Sequence, residues 1–194
     1  MRVEPIRDND VIRRLTEALA EDRSQAGERR YLMWMTGLYL GRRISDILRI
    51  RVKDVYGQKM FSIMEGKTGK QIDLYIPKTL IKVYDERLKD RDPEEPLLAS
   101  RYMDRITGKK KPVNRETCYR DMKYIKRIGR LPDTMQIGTH TLRKTFGYHY
   151  YQTTKDMAGL MKVLNHSKEE ITQVYIGLRS DEIRETFRVV DKMY

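Results

Sequence analysis

A chain of 194 residues, 39% of them hydrophobic, has room for one well-cored domain or one domain with a small appendage. It holds no run of about 18 apolar residues to cross a bilayer, no hydrophobic signal core after Met1-Arg2-Val3-Glu4-Pro5, and one cysteine, Cys118, which excludes an internal disulfide and a cysteine-based metal knuckle. Forty Lys and Arg against 28 Asp and Glu leave a net charge of +12, which favours a polyanionic partner in a reducing cytoplasm.

No internal repeat, low-complexity tract or Ser/Gly linker divides the chain, so residues 1–194 read as a single domain. Asp8, Asn9 and Asp10 offer caps for a first helix on which Ile12, Leu15 and Leu19 recur at helical spacing. A second helix is expected over residues 28–40, rich in Leu32, Met33, Trp34 and Leu38. Gly41 breaks it, and a third begins near Arg43 with Ile44, Ile47 and Leu48 as its buried stripe. Over residues 60–76 the period changes. Phe61 and Ile63, then Ile72, Leu74 and Ile76, alternate with polar residues as in a half-buried hairpin. Gly66-Lys67-Thr68-Gly69-Lys70 forms its turn.

Pro77 ends the second strand, and Thr79 is a candidate cap for a helix carrying Leu80, Val83, Tyr84 and Leu88. Residues 90–113 read as a long loop with a basic segment, Gly108-Lys109-Lys110-Lys111. Cys118, Met122 and Ile125 then share one helix face, while Arg120, Lys123, Arg127 and Arg130 populate the others. Helices follow over residues 141–151 and 156–164. Ser167 with Glu170 makes a capping-box pattern for the next. A last helix is expected over residues 181–192, with Ile183, Phe187 and Val190 as its apolar stripe. The expected class is mainly α with one small antiparallel β-sheet.

Six residues able to handle a phosphodiester occur in order: Arg43, Lys67, His140, Arg143, His166 and Tyr175. Singly, each has an ordinary reading. Tyr175, one of 13 tyrosines, could pack its ring on a core; Arg43 could be solvated beside Arg42, and Lys67 could be a solvated turn lysine. Gly66-Lys67-Thr68 suggests a nucleotide-binding loop, but that pattern requires a glycine where Phe61 stands. His140 and His166 lack a carboxylate or cysteine at ligand spacing, so no metal is expected.

Together these residues carry a resemblance. Arg43-Ile44-Ser45-Asp46, after a Gly-containing helix end, resembles the first arginine box of the tyrosine recombinase (phage integrase) family. His140-Thr141-Leu142-Arg143 resembles its His-x-x-Arg box. Leu164-Asn165-His166-Ser167 and Thr172-Gln173-Val174-Tyr175 resemble the closing segment with the nucleophile. The similarity runs over residues 6–190. It implies the catalytic-domain fold of that family and an enzyme for site-specific DNA recombination or integration, working through a covalent 3′-phosphotyrosine without cofactor. Arg43 and Arg143 would hold the non-bridging oxygens, Lys67 would protonate the leaving 5′-oxygen, and Lys70 is its fallback. His140 would shuttle the proton of Tyr175, the nucleophile, and His166 would hydrogen-bond the phosphate. Asp46 lies one helical turn after Arg43, either orienting an arginine or histidine or forming a surface pair. His149 is expected to be structural.

The implied partner is double-stranded DNA, met by Lys70, Arg120, Lys123, Arg127 and Lys144. The last helix, at 180–194, has two readings: it folds back on its own molecule through Ile183, Phe187 and Val190, or, as the resemblance implies, it joins a homo-tetramer on DNA. Accessory DNA-binding proteins and a place on the nucleoid are implied as well. Lys144 stands where the family commonly has histidine, and Asn165 where glycine is usual. The family's N-terminal core-binding domain is not found ahead of the catalytic segment. Two other readings remain: a type IB topoisomerase-like relaxing enzyme, and a non-catalytic DNA-binding protein on the same fold.

Overall fold

Asp8 opens α1 (Asn9–Glu21) by accepting hydrogen bonds from the backbone N–H groups of Asp10 and Val11. Leu15 and Leu19 are its buried positions. α2 (Gln25–Leu40) starts ahead of the apolar pattern because the Ser24 side chain accepts from the Gly27 N–H. Residues 31–37 of α2 are buried in unbroken succession, so this helix is enclosed on all sides and forms the axis of the fold. Two one-turn helices follow, α3 (Ile44–Ile47) and α4 (Val52–Val55). Then β1 (Met60–Met64) and β2 (Gln71–Tyr75) pair antiparallel, with Phe61 opposite Leu74 and Ile63 opposite Ile72. Alternation in sequence becomes one packed face of a hairpin.

α5 (Lys78–Leu88) begins on Pro77, so Thr79 falls inside the first turn and does not cap it. The expected loop over residues 90–113 is corrected as well. Within it β3 (Ala99–Met103) pairs antiparallel with β4 (Lys110–Pro112), placing Met103 opposite Lys110. Tyr102, Met103 and Ile106 are exposed there, so this hairpin carries no buried alternation to read. The helices α6 (Arg115–Ile128), α7 (Thr141–Thr154), α8 (Met157–Leu164) and α9 (Glu169–Ile176) complete the chain order. Lys168 stands at the N-cap of α9 without a side-chain cap bond, so the Ser167–Glu170 box does not form.

The computed structural model describes residues 3–66, 69–178 and 188. Among them the fold is mainly α, with two two-stranded antiparallel sheets where one was expected. The helix expected over 181–192 and the exchange of 180–194 lie outside the described residues. Two apolar clusters form. The larger gathers α1 to α6 around Trp34, Leu80, Tyr84, Met122 and Ile125. The smaller is Leu160, Leu164 and Ile176, with Phe146, Tyr150, Met157 and Tyr175 against it.

Candidate active site

The site is assembled where α2 ends, α7 begins, and α8 turns into α9. Gly41 caps α2 in the left-handed region (φ 59°), and a Cβ there would meet the Phe146 ring at 2.4 Å. The chain therefore leaves α2 hard against α7, carrying Arg42 and Arg43 with it. Arg42 points inward. Its Nε donates to the Leu40 carbonyl at 3.2 Å, its Nη2 to the Val163 carbonyl, and its Nη1 lies 3.5 Å from the Glu65 carboxylate. Burial, then the neighbouring Arg143 charge, pushes its pKa down to about 10. Arg43 is less enclosed and donates from Nη1 to Glu65 Oε1 at 3.0 Å.

On α7, His140 and Arg143 lie one turn apart and face the same way. The Arg143 guanidinium is buried and forked between two helix ends. Nη1 donates to the Gly41 carbonyl at 2.9 Å and Nη2 to the Leu164 carbonyl at 2.6 Å. Orphan C-terminal carbonyls of α2 and α8 thereby find a partner. α8 ends at Asn165 with φ 49°, which accounts for an asparagine where glycine is usual: both residue types accept the left-handed cap. His166 follows directly, and its Nδ1 lies 3.0 Å from the Thr172 hydroxyl.

α9 is drawn onto α7 at Gly147, where a Cβ would meet Ile176 at 2.7 Å. That close approach carries Tyr175 into the group. Its hydroxyl lies 3.1 Å from His140 Nδ1. Its ring centroid is 5.2 Å from that of His166, edge to face, and 5.9 Å from Arg143 Cζ.

Burial raises the pKa of the Tyr175 phenol, outweighing the opposite pull of Arg143 and Arg43. The hydroxyl is therefore protonated at neutral pH and must pass its proton to a base. Partial desolvation, followed by the charges of Arg143, Lys144, Arg115 and Arg43, lowers the pKa of His140. A neutral imidazole results, with the Tyr175 hydroxyl in hydrogen-bond reach of its Nδ1. The two shifts widen the gap between phenol and imidazole, so moving the proton between them is uphill in the resting site.

Among the described residues, Arg43, His140, Arg143, His166 and Tyr175 come together. Lys67 lies outside the described residues. Its neighbour Gly66 is held there by Asp46, whose Oδ1 accepts the Gly66 N–H at 3.1 Å. Asp46 is thus a buried anchor for the hairpin turn, not a surface i,i+3 pair. Lys70, Arg120, Lys123 and Arg127 are exposed. Lys144 corrects the expectation of a DNA contact. It is buried, donates to the Val3 carbonyl at 2.9 Å, and sits 5.0 Å from the Tyr175 ring. His149 holds the same N-terminal segment through the Ile6 carbonyl, at 2.9 Å. Three residues escaped sequence reading: Glu65, Arg42 and Arg115. A hairpin glutamate and two more arginines carry no local signal in so charged a chain.

A phenol in contact with a histidine, beside a forked arginine at the meeting of helix ends, stands in what comparison with known proteins identifies as the catalytic domain of a tyrosine recombinase. The chain belongs to the phage integrase family, whose model matches residues 7–182. It is 36% identical over 187 residues to the probable integrase/recombinase YoeC of Bacillus subtilis, covering 96% of each chain. It is 26% identical over 190 residues to the tyrosine recombinase XerA of Pyrococcus horikoshii, covering 94% of this chain and 64% of that one. The fold matches the XerH site-specific recombinase bound to its difH substrate in a pre-cleavage complex. There the TM-score is 0.67 at 16% identity, over 90% of this chain and 51% of that one. The chain thus spans nearly all of YoeC and between half and two thirds of the two Xer proteins. No helix among the described residues is long and apolar enough to cross a membrane.

Proposed function

We propose that the protein is a site-specific DNA recombinase that breaks and rejoins strands through a phosphotyrosine at Tyr175. The hydrogen bond between Tyr175 and His140 carries this reading. In the reaction, the Tyr175 oxygen attacks the scissile phosphorus as its proton passes to His140 Nδ1. The bond from phosphorus to the 5′-oxygen breaks, and Lys67 gives that oxygen a proton. The strand's 3′-phosphate is then esterified to Tyr175. A 5′-hydroxyl from a partner duplex reverses the steps and releases the tyrosine. The energy of the bond is kept throughout, so no nucleotide is consumed.

Arg43 and Arg143 hold the non-bridging oxygens, whose charge grows in the transition state. Arginine suits this because its donors form a rigid fork. His166, with Nδ1 turned to Thr172, offers Nε2 to the phosphate. Double-stranded DNA is the partner, and the basic exposed residues Lys70, Arg120, Lys123 and Arg127 contribute backbone contacts. Residues 1–194 act as one catalytic domain, on nucleoid DNA, helped by accessory DNA-binding proteins. Assembly of four copies on DNA through 180–194 completes the reading.

The test is to incubate the protein with nicked random-sequence half-sites, then sequence the attached DNA and map the adduct. A phosphodiester on Tyr175 is expected; attachment through any other residue overturns the assignment. The pH profile adds a second expectation. His140 must be neutral to act, and its pKa lies below the ordinary value of about 6.5. Single-turnover cleavage should therefore rise with pH through that lowered value and be flat across neutrality. A rate still climbing between about pH 7 and 9 would mean that the phenol ionises unassisted.

A further inference from the structure

Glu65 is the buried acid at the centre of this basic site, and the catalytic roles above do not use it. It follows β1 directly, two residues before Lys67. Its backbone closes the turn: the Glu65 N–H donates to the Lys70 carbonyl at 2.9 Å, and its carbonyl accepts from the Gly69 N–H at 2.9 Å. Its side chain has no exposed area and reaches two other segments. Oε1 accepts from Arg43 Nη1 at 3.0 Å and lies 3.5 Å from Arg42 Nη1. Oε2 accepts from Asn165 Nδ2 at 2.5 Å. Asn165 is the left-handed cap immediately before His166.

A carboxylate that only balanced the charge of Arg42 would have no need of Asn165. One that only pinned the hairpin would have no need of Arg43. Glu65 does all of these at once with two oxygens. Among the described residues it is also the one side chain bonded to the Arg43 guanidinium. It holds one corner of the fork, and the opposite edge is left for a phosphate.

We propose that Glu65 is a positioning residue, fixing Arg43 and the His166 turn in one frame through a single carboxylate. This rests on the recombinase reading. Both groups must meet the same phosphorus, and a displacement of about 1 Å in such a group costs on the order of 10²-fold in rate. Glutamine has the same size but only one acceptor oxygen. It also carries no charge, so the guanidinium groups of Arg42 and Arg43 lose the anion between them.

The experiment uses the half-site recovered with the wild-type protein. Glu65→Gln should slow single-turnover cleavage at saturating DNA by about 10²-fold. The DNA concentration for half-saturation should change by less than about threefold, since Glu65 itself meets no phosphate. The double variant Arg43→Ala/Glu65→Gln should lose less than the product of the two single losses, because part of the effect of Glu65 runs through Arg43 and part through the His166 turn. Should Glu65→Gln not fold, as judged by circular dichroism, Asn165→Gly takes its place. It keeps the charges and the left-handed cap, and is expected to slow cleavage by about tenfold. Cleavage within about threefold of wild type, or losses that multiply in the double variant, overturns the proposal. If the wild-type protein never attaches to DNA, the recombinase reading falls first and this role falls with it. If the wild type attaches and the variants match it, the role of Glu65 alone is lost.

Discussion

Tyr175→Phe abolishes covalent attachment to DNA, with affinity for the same DNA nearly unchanged. The phenylalanine ring fills the same place between His166, Arg143 and Lys144, because those contacts are made to the ring face and edge. What disappears is the oxygen that contacts His140. Ionising a free phenol near pH 7.4 costs about 3.5 kcal/mol, and burial here adds to that cost. A denaturing gel of protein incubated with a nicked substrate reads attachment, and fluorescence anisotropy reads affinity. The variant loses hydrogen bonds to His140 and to the charged Arg143, about 0.5–1.5 and 1.5–3 kcal/mol respectively, and circular dichroism checks that it stays folded. Persistent attachment in Tyr175→Phe would identify another nucleophile.

Arg143→Lys should be the next most damaging change. Lysine keeps the charge but has a single ammonium where arginine has a planar fork. Arg143 now supplies donors to Gly41 and Leu164 while lying against the Tyr175 ring. One ammonium cannot reach both carbonyls and a phosphate. Loss of a preorganised donor at the transition state slows cleavage by about 10²- to 10³-fold. A buried carbonyl left without a partner also lowers stability by about 1–3 kcal/mol. Urea unfolding and single-turnover cleavage measure the two effects separately. Cleavage at the wild-type rate in Arg143→Lys would remove Arg143 from the phosphate site.

Much of this site could be read from the chain because its parts are local. His140 and Arg143 are one turn apart, and Asn165-His166 leads into the short helix that carries Tyr175. The long helices declared themselves through Leu15 and Leu19, or Cys118, Met122 and Ile125, all buried as their spacing implied. The misses share another cause. α3 and α4 are single turns, too short for a period to appear. β3 and β4 bury little more than Ala99, so their residues look like a loop. Lys144 and Glu65 are charged residues sunk into the protein, and only tertiary partners far along the chain make that tolerable. Arg42 belongs with them. Its sequence neighbour Arg43 fits the family box and drew the role, yet Arg42 is the more enclosed of the two.

The helix that carries Tyr175 rests on a small apolar nucleus, Leu160, Leu164 and Ile176, set apart from the large one around Trp34. Helices held by few enclosed side chains open at a fraction of the free energy needed to unfold a whole domain. Letting go of α9 would withdraw the Tyr175 phenol from His140. Leu164 belongs to that nucleus and also holds Arg143 through its carbonyl, so any loosening of so small a support reaches the phenol and the guanidinium together.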